Sequence, residues 1–173
     1  LYKLFGNNAL ETVQENPYVL ASEQVGSDFD SADKFAMNIG IDYNSDLRIK
    51  AAIIYELRHV LTGGHVFLPF NKLTEATSAF INCDPELIET SLSALIEEGG
   101  ITTTEIAGFT ACYLNYIYQA ETDVCRRVRF CAENFSEPES GIQYELSQLE
   151  TQNGIEYTEL QKKAISSAIC NRM

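Results

Sequence analysis

Apolar residues recur every three or four positions along several stretches of the chain, which is the spacing that places them on one face of an α-helix. The clearest case spans residues 46–61 and is closed by Gly63-Gly64. Its apolar stripe consists of Leu47, Ala51, Ile54, Leu57 and Leu61, widened by Ile53 and Val60. We predict a central buried helix over this stretch.

Polar capping residues predict shorter helices near the start of the chain. Asn8 and Glu11 have the spacing of a capping box, so a helix is expected over about residues 9–14. Asn16 and Pro17 predict a second helix start, because the first helical position does not need the backbone N–H that proline lacks. A brief helical turn should follow.

Glycines separate that turn from the next helix. Gly26 marks a tight turn, Asp30 is expected to cap a helix that runs to about Ile39, and Gly40 can end it with a positive φ. The predicted order is helix, hairpin, helix.

In the middle of the chain, β-prone runs alternate with stretches that have helical spacing. A β-prone run at residues 65–68 ends at Pro69, and helices are expected over about 71–80 and from Asp84-Pro85 onward. The second of these helices carries its apolar face on Leu87, Ile88, Leu92, Leu95 and Ile96. Two β-prone runs, 101–106 and 109–114, then meet at Ala107-Gly108. Strand, helix, helix and hairpin in this order predict a winged-helix-like unit.

The last third of the chain predicts helices with a polar stretch between them. A helix is expected over residues 115–133, with a buried side of Ile117, Ala120, Val124, Val128 and Cys131. Residues 135–154 predict a linker with one or two helical turns around 144–150. Thr158 and Gln161 form a second capping box. The helix that it opens has an apolar face in need of a partner, made of Leu160, Ala164, Ile165, Ala168 and Ile169.

Composition narrows the class of protein. With 173 residues, 45% hydrophobic and 21% charged, the chain can bury a core and is not a disordered or collagen-like sequence. Its net charge of −13 argues against a generally basic nucleic-acid coat and against binding to an anionic membrane. No apolar run is long enough to span a bilayer, so we expect a soluble cytoplasmic protein without a membrane partner.

Residues with catalytic or metal-binding chemistry form no recognisable pattern. The five cysteines are scattered, which predicts reduced core residues. His59 and His65 have no partner at metal-ligand spacing, so no metal site is predicted. A Walker A loop, a zinc protease motif, a nucleophile elbow and a dinucleotide-binding glycine pattern are all missing, and no catalytic centre is expected.

Two features could contact DNA. Backbone amides of the hairpin at Gly26 could approach a phosphate, although the glycine also serves a plain tight turn and the nearby carboxylates favour that explanation. Arg126, Arg127 and Arg129 form the densest basic cluster. They are equally compatible with a phosphate contact and with salt bridges to neighbouring carboxylates.

Several segments follow one another in a characteristic order. The first three are Phe5–Ala21, Gly26–Asp33 and Ile39–Ile41, and the later ones are Arg48, Ala51 and Ile54-Tyr55, then Gly64–Pro69, Ala120-Glu121 and Gly154–Ile165. This order resembles the N-terminal region of RecD/TraA-type ATP-dependent DNA helicases, which are exodeoxyribonuclease V α-subunit-like. The first three segments resemble the family's helix-hairpin-helix region, and the last is similar to the segment just upstream of its Walker A loop.

The resemblance implies an accessory region, cut just before the phosphate-binding loop, of a 5′-to-3′ DNA translocase that uses ATP and Mg²⁺. It also implies that Gln161 contacts the adenine base, whereas the residues alone favour a helix cap. In the hairpin, Asp28 and Asp30 stand where the family has a glycine and a lysine.

Together these observations predict a mainly α fold in three regions. A helix-hairpin-helix-like region is expected at residues 1–62 and a winged-helix-like region with a small antiparallel sheet at 63–134. Residues 135–173 would be a linker and the first helix of a motor domain. The expected role is a non-catalytic helicase accessory region without a cofactor of its own, whose partners are the motor domain and, weakly or indirectly, DNA. The alternative is a stand-alone winged-helix regulator or protein-interaction module.

Overall fold

The computed structural model of the protein describes residues 1–133 and 141–171, in two compact units, Leu1–Tyr118 and Gln119–Met173. In the first unit the α-helices are α1 (Tyr2–Phe5), α2 (Ala9–Glu15), α3 (Phe29–Asn38), α4 (Asp46–Thr62), α5 (Phe70–Ile81), α6 (Pro85–Glu97) and the start of α7 (Asn115–Glu133). Short 3-10 helices cover Gly6–Asn8 and Pro17–Ala21. The strands are β1 (Leu68–Pro69), β2 (Ile101–Ile106) and β3 (Phe109–Leu114). The second unit contains the rest of α7, α8 (Ile142–Asn153) and α9 (Glu159–Asn171). These elements confirm the predicted mainly α fold.

The strands form a small antiparallel sheet in the order β1-β3-β2. The two strands of the β-hairpin, β2 and β3, have the predicted bounds, and Ile106 pairs with Phe109 across a two-residue turn. Ala107 and Gly108 both have positive φ, 49° and 85°, as a tight hairpin turn requires. With the two helices between β1 and β2, this order of elements is the one the sequence predicted. The predicted boundaries between the three regions stay predictions.

The helix-hairpin-helix segment lies on the core of the first unit. Asn16 caps the 3-10 helix by accepting from the Tyr18 amide, and Pro17 occupies its first turn, as predicted. Phe29 opens α3 and is almost fully buried against the rings of Tyr18, Tyr55 and Phe80. Aromatic packing therefore joins the hairpin to α4 and α5.

Two predicted helix caps are wrong. Asn8 precedes α2, but its side chain makes no capping hydrogen bond. Its φ of −87° and ψ of 1° continue the preceding 3-10 helix, whereas a capping residue usually has an extended backbone. For α3 the cap is Asp28 rather than Asp30, because Asp28 has the extended backbone and accepts a hydrogen bond from the Ser31 amide at 2.8 Å. Asp30 already lies inside the first turn.

The buried face of the central helix α4 also differs from the prediction. Its fully buried residues are Arg48, Ile49, Ala52, Ile53 and Leu57, while most of the predicted stripe is half-buried. The helix contacts α3, α5, α6 and β3, so it is covered on several sides. A helix packed on several sides has no single exposed face, and the spacing of its apolar residues then does not locate the most buried positions. In α6, Leu87 is likewise exposed, and Ser91 joins the buried face instead.

The second unit contains more helix and fewer buried side chains than predicted. The expected one or two turns around residues 144–150 form the twelve-residue helix α8. Helix α7 has the predicted bounds, but Val124 and Val128, expected on its buried side, are exposed. Among the described residues of this unit, the buried hydrophobic side chains are Leu146 and Cys170.

Candidate nucleic-acid and nucleotide sites

The hairpin uses the backbone amides near Gly26 to close its own turn. The Gly26 amide donates to the Ser22 carbonyl at 2.8 Å, and the Ser27 amide donates to the Leu20 carbonyl at 3.1 Å. Gly26 has a φ of +80°, which glycine adopts without strain. The space where a Cβ would lie is open. The structure therefore shows a turn glycine whose amide already has a partner.

Carboxylates surround the entrance to α3, the other place where the hairpin could meet an anion. Asp28 accepts from both the amide and the hydroxyl of Ser31, at 2.8 and 2.9 Å. These hydrogen bonds, the backbone one first, lower the pKa of Asp28. The positive end of the α3 dipole thus already faces a carboxylate of the chain, and Asp30 adds a second negative charge in the first turn. Another anion is disfavoured there.

A buried ion pair that the sequence analysis missed joins the hairpin segment to the rest of the first unit. Arg48 is 5% exposed and binds Asp33 through two hydrogen bonds, Nε to Oδ1 and Nη2 to Oδ2, both at 2.9 Å. Its Nη1 donates to the carbonyls of Tyr43 and Ile81, and its guanidinium lies 4.2 Å from the centre of the Tyr43 ring. The Tyr18 hydroxyl donates to the same carboxylate at 2.7 Å.

This network controls the ionisation of its members. Burial opposes the charge on Asp33, but hydrogen bonds from Arg48 and Tyr18 outweigh it, so the pKa of Asp33 is lowered. Burial and the hydrogen bond to Asp33 raise the pKa of Tyr18. A bidentate pair of this kind is specific in geometry, so we assign it a structural role in holding α3 against α4. The sequence contained no clear signal for this pair, because α4 also carries Lys50 and Arg58, and spacing along one helix does not show which cation is buried.

The three candidate DNA-binding arginines lie on α7 in the second unit, and all are exposed. Arg126 makes an exposed ion pair with Asp123 at 3.0 Å, one turn earlier on the helix. Arg126 and Arg127 line a shallow depression of about 310 Å³ together with Phe130 and Cys131. Arg129 is on the same helix but outside this depression. The structure thus brings two of the three arginines beside an aromatic ring.

Gln161 takes part in the predicted capping box at the start of α9. Its Oε1 accepts from the Thr158 amide at 2.9 Å and from the Thr158 hydroxyl at 3.1 Å. The backbone amide of Gln161 donates to the Thr158 hydroxyl at 3.4 Å. The side chain is exposed, and one of its two polar atoms is thus engaged within the chain.

An open groove of about 670 Å³ lies between helices α8 and α9, and Gln161 is not among the residues that line it. Glu150 accepts from the Tyr157 amide at 2.7 Å and pairs with Lys162 at 3.1 Å, which ties the α8 to α9 connection together. The backbone hydrogen bond, followed by the one from Lys162, lowers the pKa of Glu150. Lys163 also lines this groove.

Other candidate chemistry is limited in the described part of the chain. The described residues contain no group of three or more histidines, cysteines or carboxylates that could hold a metal ion. The five cysteines are present as reduced thiols. The prediction that they are core residues is wrong for Cys125, which is exposed because its part of α7 is exposed. Within the described residues, no helix is both long and apolar enough to cross a membrane.

At the start of the chain, the turn at Gly26 joins the short helix Pro17–Ala21 to α3, and Phe29 and the Asp33–Arg48 pair hold α3 on α4. Residues 1–67 match the family described as the ATP-dependent RecD2 DNA helicase HHH domain. The match confirms the resemblance over these residues and supports a RecD-type helicase N-terminal region.

Proposed function

We propose that the chain is a non-catalytic N-terminal accessory region of an ATP-dependent 5′-to-3′ DNA helicase, where it positions the motor domain and guides DNA. The observation that carries this proposal is the match of residues 1–67 to the RecD2 helix-hairpin-helix domain. The buried Arg48–Asp33 pair supports it, since a positioning element has to hold a fixed shape. ATP and Mg²⁺ would act in the motor, and the protein would work in the cytoplasm.

DNA guidance in this proposal depends on α7 rather than on the hairpin. The hairpin amides near Gly26 are engaged, and its carboxylates repel phosphate. Arg126, Arg127 and Arg129 offer exposed positive charge, and Phe130 beside them offers a ring on which a base can stack. Arg126 must leave Asp123 to do so, an exposed pair that costs little to break.

Nucleotide contact in this proposal falls to Gln161. Because its Oε1 accepts from Thr158, the amide Nε2 is the atom we assign to adenine, where it would donate to a ring nitrogen. The described residues offer no glycine-rich cradle for the phosphates, so the motor has to supply that part of the site.

The alternative is a stand-alone winged-helix regulator or protein-interaction module. The acidic helix α6 favours a protein contact over groove reading, because it carries Glu86, Glu89 and Glu97 and no basic residue. Reading the gene past Met173 separates the two proposals. A glycine-rich loop ending in Lys-Ser or Lys-Thr supports the helicase region, and a stop codon supports the module.

A biochemical test uses the chain as it stands. The purified 173-residue protein, assayed with ATP, Mg²⁺ and single-stranded DNA, should show no turnover, because it has no loop to hold the β- and γ-phosphates. The control is a known helicase in the same preparation buffer. Multiple turnovers that a point substitution within this chain abolishes would contradict the non-catalytic assignment.

A further inference from the structure

Helix α7 carries an exposed apolar stripe within the second unit. Val124 is 61% exposed and Val128 is 62% exposed, and Ala120, one turn before Val124, is exposed as well. Residues four apart lie on one face of a helix, so these three side chains form a single stripe. We call this surface the valine stripe. An apolar stripe that solvent reaches indicates a surface that binds a partner.

The charged residues beside the valine stripe are arranged symmetrically about Cys125. Glu121 and Asp123 precede it by four and two residues, and Arg127 and Arg129 follow it by two and four. All four charged residues are exposed. Apart from Asp123, none of them forms an ion pair within the described part of the chain. The stretch before Cys125 is thus acidic, and the stretch after it is basic.

We propose that two copies of this chain pair through α7 in antiparallel orientation, with a two-fold axis beside Cys125. The axis brings the acidic half of each helix against the basic half of the other, which makes the surface complementary to itself. Asp123 then meets Arg127 of the second copy, and Glu121 meets Arg129 of the second copy. The occupant of the valine stripe is therefore the same stripe on a second copy.

The helical positions of the charges agree with both contacts. Successive residues of a helix are rotated by about 100°. This rotation places Asp123 and Arg127 on one edge of the valine stripe, and Glu121 and Arg129 on the other edge. A two-fold axis perpendicular to the two helices keeps each edge beside the same edge of the second copy. Each edge of the pair therefore joins carboxylates to guanidinium groups.

The apolar residues interleave in the same arrangement. With a rise of about 1.5 Å per residue, Val124 lies about 3 Å along the axis from both Val124 and Val128 of the second copy. Ala120 lies about 3 Å along the axis from Val128 of the second copy. Four valines and two alanines thus form a continuous seam, which removes their apolar surface from water.

Charge also decides between the two orientations that a helix pair can adopt. A parallel pair would place Glu121 beside Glu121 and Arg127 beside Arg127, so like charges would face each other. The net charge of −13 opposes association at long range in either orientation. At about 0.15 M salt, charges more than about 8 Å apart are largely screened, so the contacts along α7 decide whether two copies pair.

The first test measures self-association of the full 173-residue chain. Sedimentation equilibrium at about 0.15 M salt should show a monomer–dimer equilibrium as the protein concentration rises to about 1 mM. Val124→Ser with Val128→Ser should weaken the dimer by more than about tenfold, because each dimer loses four valines. Arg126→Gln changes the far side of α7 and should leave the equilibrium unchanged. A parent chain that stays monomeric would overturn the proposal, which stands independently of the helicase assignment.

Charge reversal tests the pairing of opposite halves. One variant makes the whole stretch acidic, with Arg127→Glu and Arg129→Glu, and the other makes it basic, with Glu121→Lys and Asp123→Lys. Neither variant should pair with itself, because like charges then meet along both edges. An equal mixture of the two should form a heterodimer, because every contact again joins opposite charges. A variant that dimerises as strongly as the parent, or a mixture that stays monomeric, would contradict the assigned contacts.

Cysteine crosslinking reports the orientation of the pair. Cys125 is an exposed free thiol, and the antiparallel pair places both copies of it level with the axis on the same edge. A short bismaleimide linker can join two thiols across helices about 8–10 Å apart. The Cys131 thiols would lie about 18 Å apart along the axis, twelve steps of about 1.5 Å. Crosslinked dimer should therefore form in Cys131→Ser and be lost in Cys125→Ser, and the opposite result would show a parallel pair and sink the proposal.

Discussion

The two units of the chain share helical periodicity but differ in what it buries. In the first unit, apolar residues of α3, α4, α5, α6 and the sheet form one buried cluster. In the described part of the second unit, residues at equally regular spacing stay exposed, such as Val128 at 62% and Leu160 at 81%. Helical spacing therefore predicts the helix itself, while burial needs a surface that packs against it.

Arginine shows the same contrast. Arg48 in the first unit is buried and has a carboxylate, two carbonyls and an aromatic ring around it. Arg126 in the second unit has one exposed carboxylate at a similar distance, 3.0 Å. The distances are alike, but solvent screens the exposed pair, so only the buried one should contribute much to stability.

The largest expected effect tests the difference in burial. Leu92→Ala removes a fully buried side chain from α6 and should lower the free energy of unfolding by roughly 3–5 kcal/mol. The matched change in the second unit, Leu160→Ala, affects an exposed side chain and should cost less than about 0.5 kcal/mol. Urea denaturation of both variants measures this, and equal losses would show that Leu160 is buried in solution.

A slightly smaller effect tests the two arginines. Arg48→Met removes the cation that pairs with Asp33 and one donor each from the Tyr43 and Ile81 carbonyls. We expect a loss of roughly 3 kcal/mol, at the low end for a buried pair, because Asp33 keeps some exposure and the hydrogen bond from the Tyr18 hydroxyl. Arg126→Met should change stability by less than about 0.5 kcal/mol. The same denaturation experiment decides it, and a mild Arg48→Met variant would contradict the structural role of the network.

The pH dependence of stability sharpens this second comparison. The pKa of Asp33 is lowered in the folded protein, so its ionised form stabilises the fold above the unfolded pKa of about 3.9. That stabilisation is lost as the pH falls through the lower folded pKa. The free energy of unfolding should therefore fall more steeply below about pH 4 in the parent chain than in Arg48→Met. Arg126→Met should keep the parent slope, and identical slopes in all three would remove Asp33 as a cause.

A smaller effect is expected at the start of α9. Gln161→Ala removes the side-chain half of the capping box and should lower stability by roughly 0.5–1 kcal/mol. If Gln161 also contacts adenine in the proposed helicase, the variant should raise the KM for ATP and leave the KM for GTP nearly unchanged. Steady-state kinetics of the full helicase measure both, and an unaltered ATP preference would leave Gln161 as a helix cap.

Replacing the exposed arginines of α7 should have the smallest effect on stability. The property that it should change is DNA binding. Arg126→Ala with Arg129→Ala should weaken binding to single-stranded DNA. The slope of log affinity against log salt concentration should become shallower by about 0.7 for each phosphate that is no longer neutralised. Asp28→Ala in the hairpin should weaken binding less. Fluorescence anisotropy at several salt concentrations tests this, and tight binding at physiological salt that ignores the arginine changes would contradict a role for α7.

Local chemistry determined much of the fold in advance. Asp84 caps α6, and Pro85 opens it, because both roles depend only on neighbouring backbone atoms. Local sequence also predicts the turn at Ala107-Gly108. The same holds for glycines that end helices with a positive φ, such as Gly40 and Gly99, because glycine adopts that backbone conformation without strain. The hairpin order and its family resemblance were likewise visible in the sequence.

Only the tertiary structure decided which faces are buried and which polar groups find partners. Arg48 is buried because Asp33, fifteen residues earlier on α3, meets it across two packed helices. Val124 is exposed although its spacing is that of a buried face. Spacing along one helix is a local property, whereas burial and pairing depend on atoms brought from elsewhere in the chain.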